Sequence, residues 1–234
     1  MGADEKAGRE AIAAAARAPD SRRAQAPRHA SPAMRRLGMA DYDATYEQMR
    51  RFTEARDAAT PDEIWVLEHA PVYTVGVAGR SEHFPPAGAI PVKRVDRGGQ
   101  ITYHGPGQAV VYVLLDLLRR RLKVGDLVRL MERAVIDLLA RNDVCAARRS
   151  GAPGVYVGAA KIAALGLRVR RGRSYHGIAL NVDMDLAPFH AIDPCGYPGL
   201  AVTQTSALGI ARSAADMGEE LAREITRLLD EHSS

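Results

Sequence analysis

Apolar side chains recur every three or four positions in three stretches of the chain. Tyr42, Tyr46, Met49 and Phe52 predict a helix from Asp41 to about Ala58, with Asp41 as its N-cap. Leu127, Leu130, Met131, Val135, Leu138 and Leu139 predict a second from Val124 to Arg141. Met217, Leu221, Ile225, Leu228 and Leu229 predict a third over Ala214–Glu231. Elsewhere the apolar residues fall in short compact runs bounded by Gly or Pro. Ile64–His69, Val72–Val75, Ile101–Tyr103 and Ala109–Leu115 predict strands. So do Gly154–Val157, Ala160–Arg170 and Tyr175–Val182, joined by hairpin turns near Gly158 and at Arg171-Gly172. Pro85, Pro86 and Pro91 mark residues 79–95 as a loop, and residues 183–210 read as irregular apart from a helical turn around Leu186–His190. Strands mixed with helices, several in tight-turn succession, define an α+β fold: a mixed β-sheet flanked by helices.

Composition divides the chain at its start. Residues 1–37 are rich in Ala, Arg and Pro and nearly devoid of large apolar groups, so they are expected to form a disordered basic tail ahead of one domain over residues 38–234. Met34 and Met39 stand near that junction as alternative starts. Eight of the 32 Lys/Arg and four of the 28 Asp/Glu fall in the tail, so the net charge of +4 belongs to the tail and the remainder is formally neutral. Basic clusters at Arg119–Arg121 with Lys123, at Arg148-Arg149 and across Arg168–Arg173 lack interleaved aromatic residues. They read as solvated faces rather than a nucleic-acid surface, with docking of an acidic protein as the functional alternative. No apolar run reaches the roughly 20 residues of a membrane span, and no secretory apolar region opens the chain. Neither nucleic acid nor membrane is expected as a partner. The two cysteines, Cys145 and Cys195, suit a reducing, cytoplasmic setting, and neither sits in a C-x-x-C pair that would favour zinc.

Candidate chemistry gathers at a few places. Arg97-Gly98-Gly99-Gln100-Ile101-Thr102-Tyr103-His104-Gly105-Pro106-Gly107-Gln108 runs straight into an apolar strand. A glycine-rich turn explains that pattern. So does a place where a ligand approaches the main chain, with His104 shaping a pocket and the Gly98-Gly99 N–H groups donating to a carbonyl. Cys195 lies in Pro194-Cys195-Gly196, a setting that presents a thiol on a loop, whereas Cys145 resembles the start of a strand and reads as inert. Only four lysines accompany 28 arginines. One of them, Lys161, sits between Ala160 and Ile162 and on a regular strand shares a face with Ala163, Leu165, Leu167 and Val169. Burial there would disfavour its ammonium and make it a proton carrier; the same spacing also fits an edge-strand Lys whose head snorkels to water. His69, His104 and His176 are too scattered for a metal site, and no nucleotide-binding glycine motif falls between a strand and a helix.

These segments together resemble a known family. Glu68–Thr74, Arg97–Gln108, Ala160–Gly166, His176–Asn181 and Pro194-Cys195-Gly196, in that order over residues 40–230, look like the octanoyltransferases of lipoate biosynthesis. The resemblance implies a fold similar to the lipoate and biotin protein ligase catalytic domain. It implies transfer of an octanoyl group from octanoyl-acyl carrier protein to a lysine on the lipoyl domains of 2-oxoacid dehydrogenases and on the glycine-cleavage H protein. Cys195 then occupies the nucleophile position and Lys161 the position that lowers the thiol pKa and shuttles protons. Arg97, Gly98, Gly99, Gln100, Ile101, Thr102, Tyr103 and His104, with Ala164, Leu165, Gly166, Gly177, Ile178 and Ala179, match the substrate-binding segments. No cofactor or metal is expected beyond the phosphopantetheine that the donor carries. A lipoate protein ligase, an amidotransferase between lipoyl domains, a Cys-His hydrolase and a non-catalytic lipoyl-domain-binding module are the competing readings.

Overall fold

The chain enters its main sheet earlier than its composition predicts. The computed structural model describes residues 30–81, 84–85, 88–193 and 199–232. Strand β1 spans Ala33–Ala40 and pairs in parallel with β2, Glu63–His69. Residues 33–37 therefore belong to the sheet and not to a disordered tail. The reason is that strand pairing uses backbone, and long polar side chains can pack by their stems. Arg35 lays its guanidinium 4.9 Å from the Trp65 ring centroid and reaches Glu63, while Arg36 pairs with Glu219. Residues 1–29 of the expected tail lie outside the described residues.

Between these strands runs helix α1, Tyr42–Ala55, capped by the Asp41 carboxylate, which accepts from the Ala44 N–H at 2.9 Å. A small second sheet follows, made of β3 (Val72–Val75), β4 (Val92–Arg94) and β5 (Ile101–His104) in the order β4-β3-β5. β4 falls inside the stretch expected to be a loop; its three residues pair in parallel with β3 and carry no apolar run to announce them. The chain then returns to the main sheet with β6 (Gln108–Leu114), crosses by helix α2 (Val124–Ala140), and adds β7 (Ala147–Arg149), β8 (Ala152–Val157), β9 (Ala160–Arg170) and β10 (Arg173–Asn181). Helix α3 covers Ala214–His232. The seven strands lie in the order β1-β2-β6-β10-β9-β8-β7, with β1–β2 parallel and the other pairs antiparallel. The expected mixed sheet with flanking helices is present. β7 went unpredicted because all three of its residues are exposed. Cys145 lies two residues before it and is also exposed.

The two faces of the sheet bury different groups. Helices α2 and α3 press Leu127, Met131, Leu138, Met217, Leu221 and Ile225 onto Val111, Val113, Ile178 and Leu180. At about 1.5–3 kcal/mol per buried aliphatic side chain, this layer supplies most of the apolar stabilisation. On the opposite face α1 sets Met49 against Trp65, Tyr112 and Tyr175. That face also carries the small sheet, so a gap remains between it and β9–β10. Among the described residues, no helix is long and apolar enough to cross a membrane.

One buried ion cluster fixes the end of α1 against the sheet. The Asp62 carboxylate takes guanidinium N–H groups from Arg56, Arg119 and Arg120 and the backbone N–H of Asp116. Arg119 and Arg120 thus turn inward instead of forming the solvated or docking face expected of them. Burial alone would raise the Asp62 pKa, but the Asp116 N–H and the Arg120 and Arg56 guanidinia outweigh it and hold the acid below its usual range. Replacing it by Asn leaves buried cations without their counter-charge. Asp62→Asn is expected to cost about 3–5 kcal/mol in urea unfolding at neutral pH. Because the folded pKa is depressed, the stabilisation is full above the unfolded value of about 4 and is lost as pH falls through the folded one. An unchanged unfolding midpoint would remove the cluster from the account.

Candidate active site

The gap on the α1 face is a cleft of about 520 Å³, its open mouth included. Its floor comes from two neighbouring strands in register: Gly166 of β9 faces Gly177 of β10, and Ala164 faces Ala179. Small residues paired with small residues leave space above the sheet that larger side chains would fill. Gly177 is also required by packing, because a Cβ there would lie 2.0 Å from the Val111 carbonyl oxygen on β6. Leu165 and Ile178 complete this side.

The opposite wall is the glycine-rich stretch, which contributes Arg97, Gly99, Gln100, Ile101, Thr102 and His104. Residues 76–78 back it through three hydrogen bonds, from Gly76, Val77 and Ala78 N–H to the carbonyls of Gln100, Arg97 and Gly99. Arg97 is buried and reaches across to the Thr74 carbonyl at 2.6 Å and to its hydroxyl at 2.9 Å. Two expectations for this stretch need correction. The Gly98 N–H is already used, donating to the Leu167 carbonyl at 2.8 Å, so it is not a free donor for a substrate carbonyl. Tyr103 points away from the cleft into a cluster with Tyr73 and Phe189, because alternation along β5 puts it on the face opposite His104.

Tyr42, Val110, Tyr112 and His176 also line the cleft and were not anticipated as such. Tyr42 was visible only as a member of the α1 apolar face. His176 has a signal that a sequence does not show: its φ is +61°, left-handed backbone inside a strand, where a non-glycine residue is strained. Its ring stacks on Tyr46 and Tyr175, and its Nε2 lies 3.2 Å from Asp96.

Each of the three histidines is buried, and burial outweighs hydrogen bonds that would favour the charged ring. His69 places Nδ1 2.8 Å from the Ala40 carbonyl and Nε2 2.8 Å from the Tyr112 hydroxyl. His104 places Nδ1 2.7 Å from Gln108 Oε1. Burial lowers the pKa of all three, and His104 is pushed down to about 3. Asp96, by contrast, stays ionised: burial would raise it, but hydrogen bonds from His176, Tyr175 and Tyr46 hold it well below the carboxylate range.

Lys161 lies near the start of β9, three residues before the cleft-lining Ala164, and is 3% exposed. Its Nζ donates to the Pro153 carbonyl at 3.1 Å and sits 5.2 Å from the centroid of the Tyr156 ring. The strand is not regular there. A bulge between Val155 and Tyr156 shifts the β8–β9 register, and both Ile162 and Ala163 join the helix-side core. Cys195 lies outside the described residues, as do its neighbours Pro194 and Gly196. The chain beyond it runs against Lys161: the Lys161 N–H donates to Ala201 O at 2.8 Å, and the Thr203 N–H donates to Lys161 O at 3.0 Å. A buried amide chain ties that segment to the glycine-rich wall. His104 meets Gln108, Gln108 Nε2 donates to Asn181 Oδ1 at 2.9 Å, and Asn181 Nδ2 donates to Thr203 O at 2.9 Å. Among the described residues no group of His, Cys, Asp and Glu side chains converges as metal ligands would.

A mixed sheet with an apolar cleft against its glycine-rich wall defines a class of protein already known. Residues 41–226 match the family described as the lipoyl protein ligase A/B catalytic domain, and the chain belongs to that family. Within it, the chain is 61% identical over 208 residues to the octanoyltransferase of Aromatoleum aromaticum, an alignment covering 88% of this chain and 90% of that one. It is an enzyme, an acyltransferase of the octanoyltransferase kind. The fold is shared more widely. Lipoate-protein ligase A, solved with ATP, superposes with a TM-score of 0.70 at 16% identity, covering 86% of each chain. The biotin protein ligase of Aquifex aeolicus, solved with biotin and ATP, gives 0.54 at 13% identity, over 84% of this chain and 71% of that one.

The neutral histidines set a pH dependence. Their folded pKa values lie below the unfolded value of about 6.5, so the unfolded state binds more protons on acidification. Stability is therefore expected to fall as pH drops from about 6.5, well before the carboxylates titrate. Urea unfolding at about pH 7 and about pH 5 measures the slope, which His104→Phe should reduce. Equal slopes in the variant and the parent would contradict neutral burial of His104.

Proposed function

We propose that this enzyme takes an octanoyl group from octanoyl-acyl carrier protein and delivers it to the acceptor lysine of lipoyl domains, through a thioester on Cys195. The acceptor set includes 2-oxoacid dehydrogenases and the glycine-cleavage H protein. The observation that carries this reading is Lys161: a buried lysine on the strand that floors the cleft, three residues before Ala164, with the segment that follows Cys195 bonded to both sides of its backbone. A Lys, unlike an Arg, can give up and regain a proton at that position.

Two proteins must use one site in turn, and a covalent intermediate lets the first depart before the second arrives. The Cys195 thiolate attacks the donor's thioester carbonyl, and the bond to the phosphopantetheine sulfur breaks. The Lys161 ammonium returns a proton to that departing thiolate. The acceptor lysine, as its free amine, then attacks the acyl-enzyme. The amide forms, the Cys195 C–S bond breaks, and Lys161 takes up the proton that the new amide loses. The enzyme is back in its starting charge state. Exchange of a thioester for an amide runs downhill, so no nucleotide and no cofactor beyond the donor's own arm is needed. The octanoyl chain lies over the Ala164–Ala179 and Gly166–Gly177 pairs, which leave room for a methylene chain and give it apolar contact. Arg171, exposed at the β9–β10 turn, remains of the basic cluster to meet an acidic carrier. The setting is the cytoplasm, where both partners are made.

Intact mass after mixing with octanoyl-acyl carrier protein tests the intermediate. A hydroxylamine-labile octanoyl adduct is expected on the parent and not on Cys195→Ser. ATP-dependent labelling without such an adduct would favour a ligase instead. Ala164→Leu fills the cleft and is expected to lower transfer about tenfold or more while moving the melting temperature little. Undiminished transfer by that variant would move the acyl site elsewhere.

A further inference from the structure

Helix α2 carries a buried carboxyl that none of the preceding chemistry uses. Glu132 is 6% exposed, among residues that pack α2 onto the sheet. Among the described residues no Lys, Arg or His lies within ion-pair distance of it. Burying a carboxylate costs several kcal/mol unless something answers its charge, roughly as for any ion taken from water. Its Oε1 accepts the Gly154 N–H at 3.0 Å.

That N–H belongs to the same peptide unit as the Pro153 carbonyl, and this carbonyl accepts the Lys161 Nζ at 3.1 Å. The two bonds therefore share one peptide plane, with the carboxyl at its N–H end and the ammonium at its C=O end. An anion at the first and a cation at the second polarise the peptide in the same sense, so each strengthens the other. The backbone is specialised for this contact. Gly154 has φ +132°, a region closed to other residues, and a Cβ there would lie 2.7 Å from the Ala163 carbonyl and 3.3 Å from Lys161 Nζ. Only glycine fits here, because a Cβ would collide with the Ala163 carbonyl and crowd the Lys161 side chain.

We propose that Glu132 is a positioning residue for Lys161, acting through the single Pro153–Gly154 peptide to fix where the ammonium sits and to favour its charged state. The inference rests on the role of Lys161 given above. The described titratable and charged groups nearest Lys161 come from the adjacent strands. Tyr156 of β8 lies under its Nζ, with the Arg149 guanidinium of β7 4.4 Å from the same ring centroid. Residues 199–204, which run along its backbone, include none. Glu132 reaches this corner from the helix side, through the Pro153–Gly154 peptide.

The test reads the lysine directly. Only four lysines occur in the chain, so ¹⁵N-lysine labelling gives four side-chain signals, with Lys161→Arg identifying the one of interest. Glu132→Gln keeps an acceptor for the Gly154 N–H and removes the charge. It is expected to move the Lys161 titration down by about one pH unit, and the lower limb of the kcat profile with it. KM for the carrier protein should stay within about twofold, since Glu132 touches no substrate. Glu132→Asp keeps the charge but is too short for the bond, and is expected to lower kcat about tenfold through misplacement of Lys161. A Lys161 titration in Glu132→Gln identical to the parent's would overturn the proposal, as would parental kcat in Glu132→Asp. The titration is recorded without substrates, so it fails or succeeds independently of the chemistry. A Lys161→Ala enzyme with the parental pH–rate profile would instead sink the acid–base role of Lys161.

Discussion

The site depends on a buried amide, Gln108. Its Oε1 takes the His104 Nδ1–H at 2.7 Å, and its Nε2 donates to Tyr103 O at 3.2 Å and to Asn181 Oδ1 at 2.9 Å. Two of these partners sit on the strands that frame the cleft. His104 is in the glycine-rich wall, Asn181 ends β10, whose Gly177–Ala179 form part of the floor, and Asn181 passes the linkage on to Thr203 and so to the Lys161 backbone. A buried polar network of this kind is stabilising only when every member is satisfied, and each bond in this one fixes the orientation of the next. It also fixes the His104 tautomer, which leaves Nε2 without a proton, toward the Thr74 hydroxyl at 3.4 Å. Thr74 in turn holds Arg97. The wall, the floor and the segment around Lys161 are thereby set relative to one another by directional bonds.

That division of labour explains the composition of the cleft. The parts that must not move are polar and buried. The open part is built by omission, from glycines and alanines paired across β9 and β10. Burial of the three histidines keeps them neutral, so an acyl chain beside them meets dipoles rather than charges. The charged side chain that lines the cleft is Arg97, buried in the wall and bonded to Thr74.

Much of this was legible in the sequence, and the exceptions have physical causes. Helix α1 declared itself through Tyr42, Tyr46, Met49 and Phe52, and Asp41 caps it as the pattern predicts. The β8–β9 and β9–β10 hairpins turn at Gly158 and at Arg171-Gly172, all with positive φ. β1 and β4 escaped because their pairing is carried by backbone and by Arg and Lys stems, which leave no apolar period. Most of the residues expected around the cleft do line it, because the glycines and alanines that admit a ligand are conspicuous in an apolar strand. Tyr103 and Gly98 were misplaced for different reasons: strand alternation sent the first into the satellite core, and a cross-sheet bond consumed the N–H of the second. His176 and Glu132 were opaque. The peculiarity of His176 is a dihedral angle, and that of Glu132 is a shared peptide plane formed by residues 22 positions apart. Neither leaves a trace in residue type or spacing.

The central claim is that Cys195 carries the octanoyl group between two proteins. The most direct measurement isolates the enzyme after reaction with octanoyl-acyl carrier protein, removes the carrier, and adds a lipoyl domain alone. The account predicts that octanoyl passes to the lipoyl lysine, without carrier or nucleotide, at least as fast as steady-state turnover. An isolated adduct that stays on the enzyme, or transfers far more slowly than turnover, would contradict it.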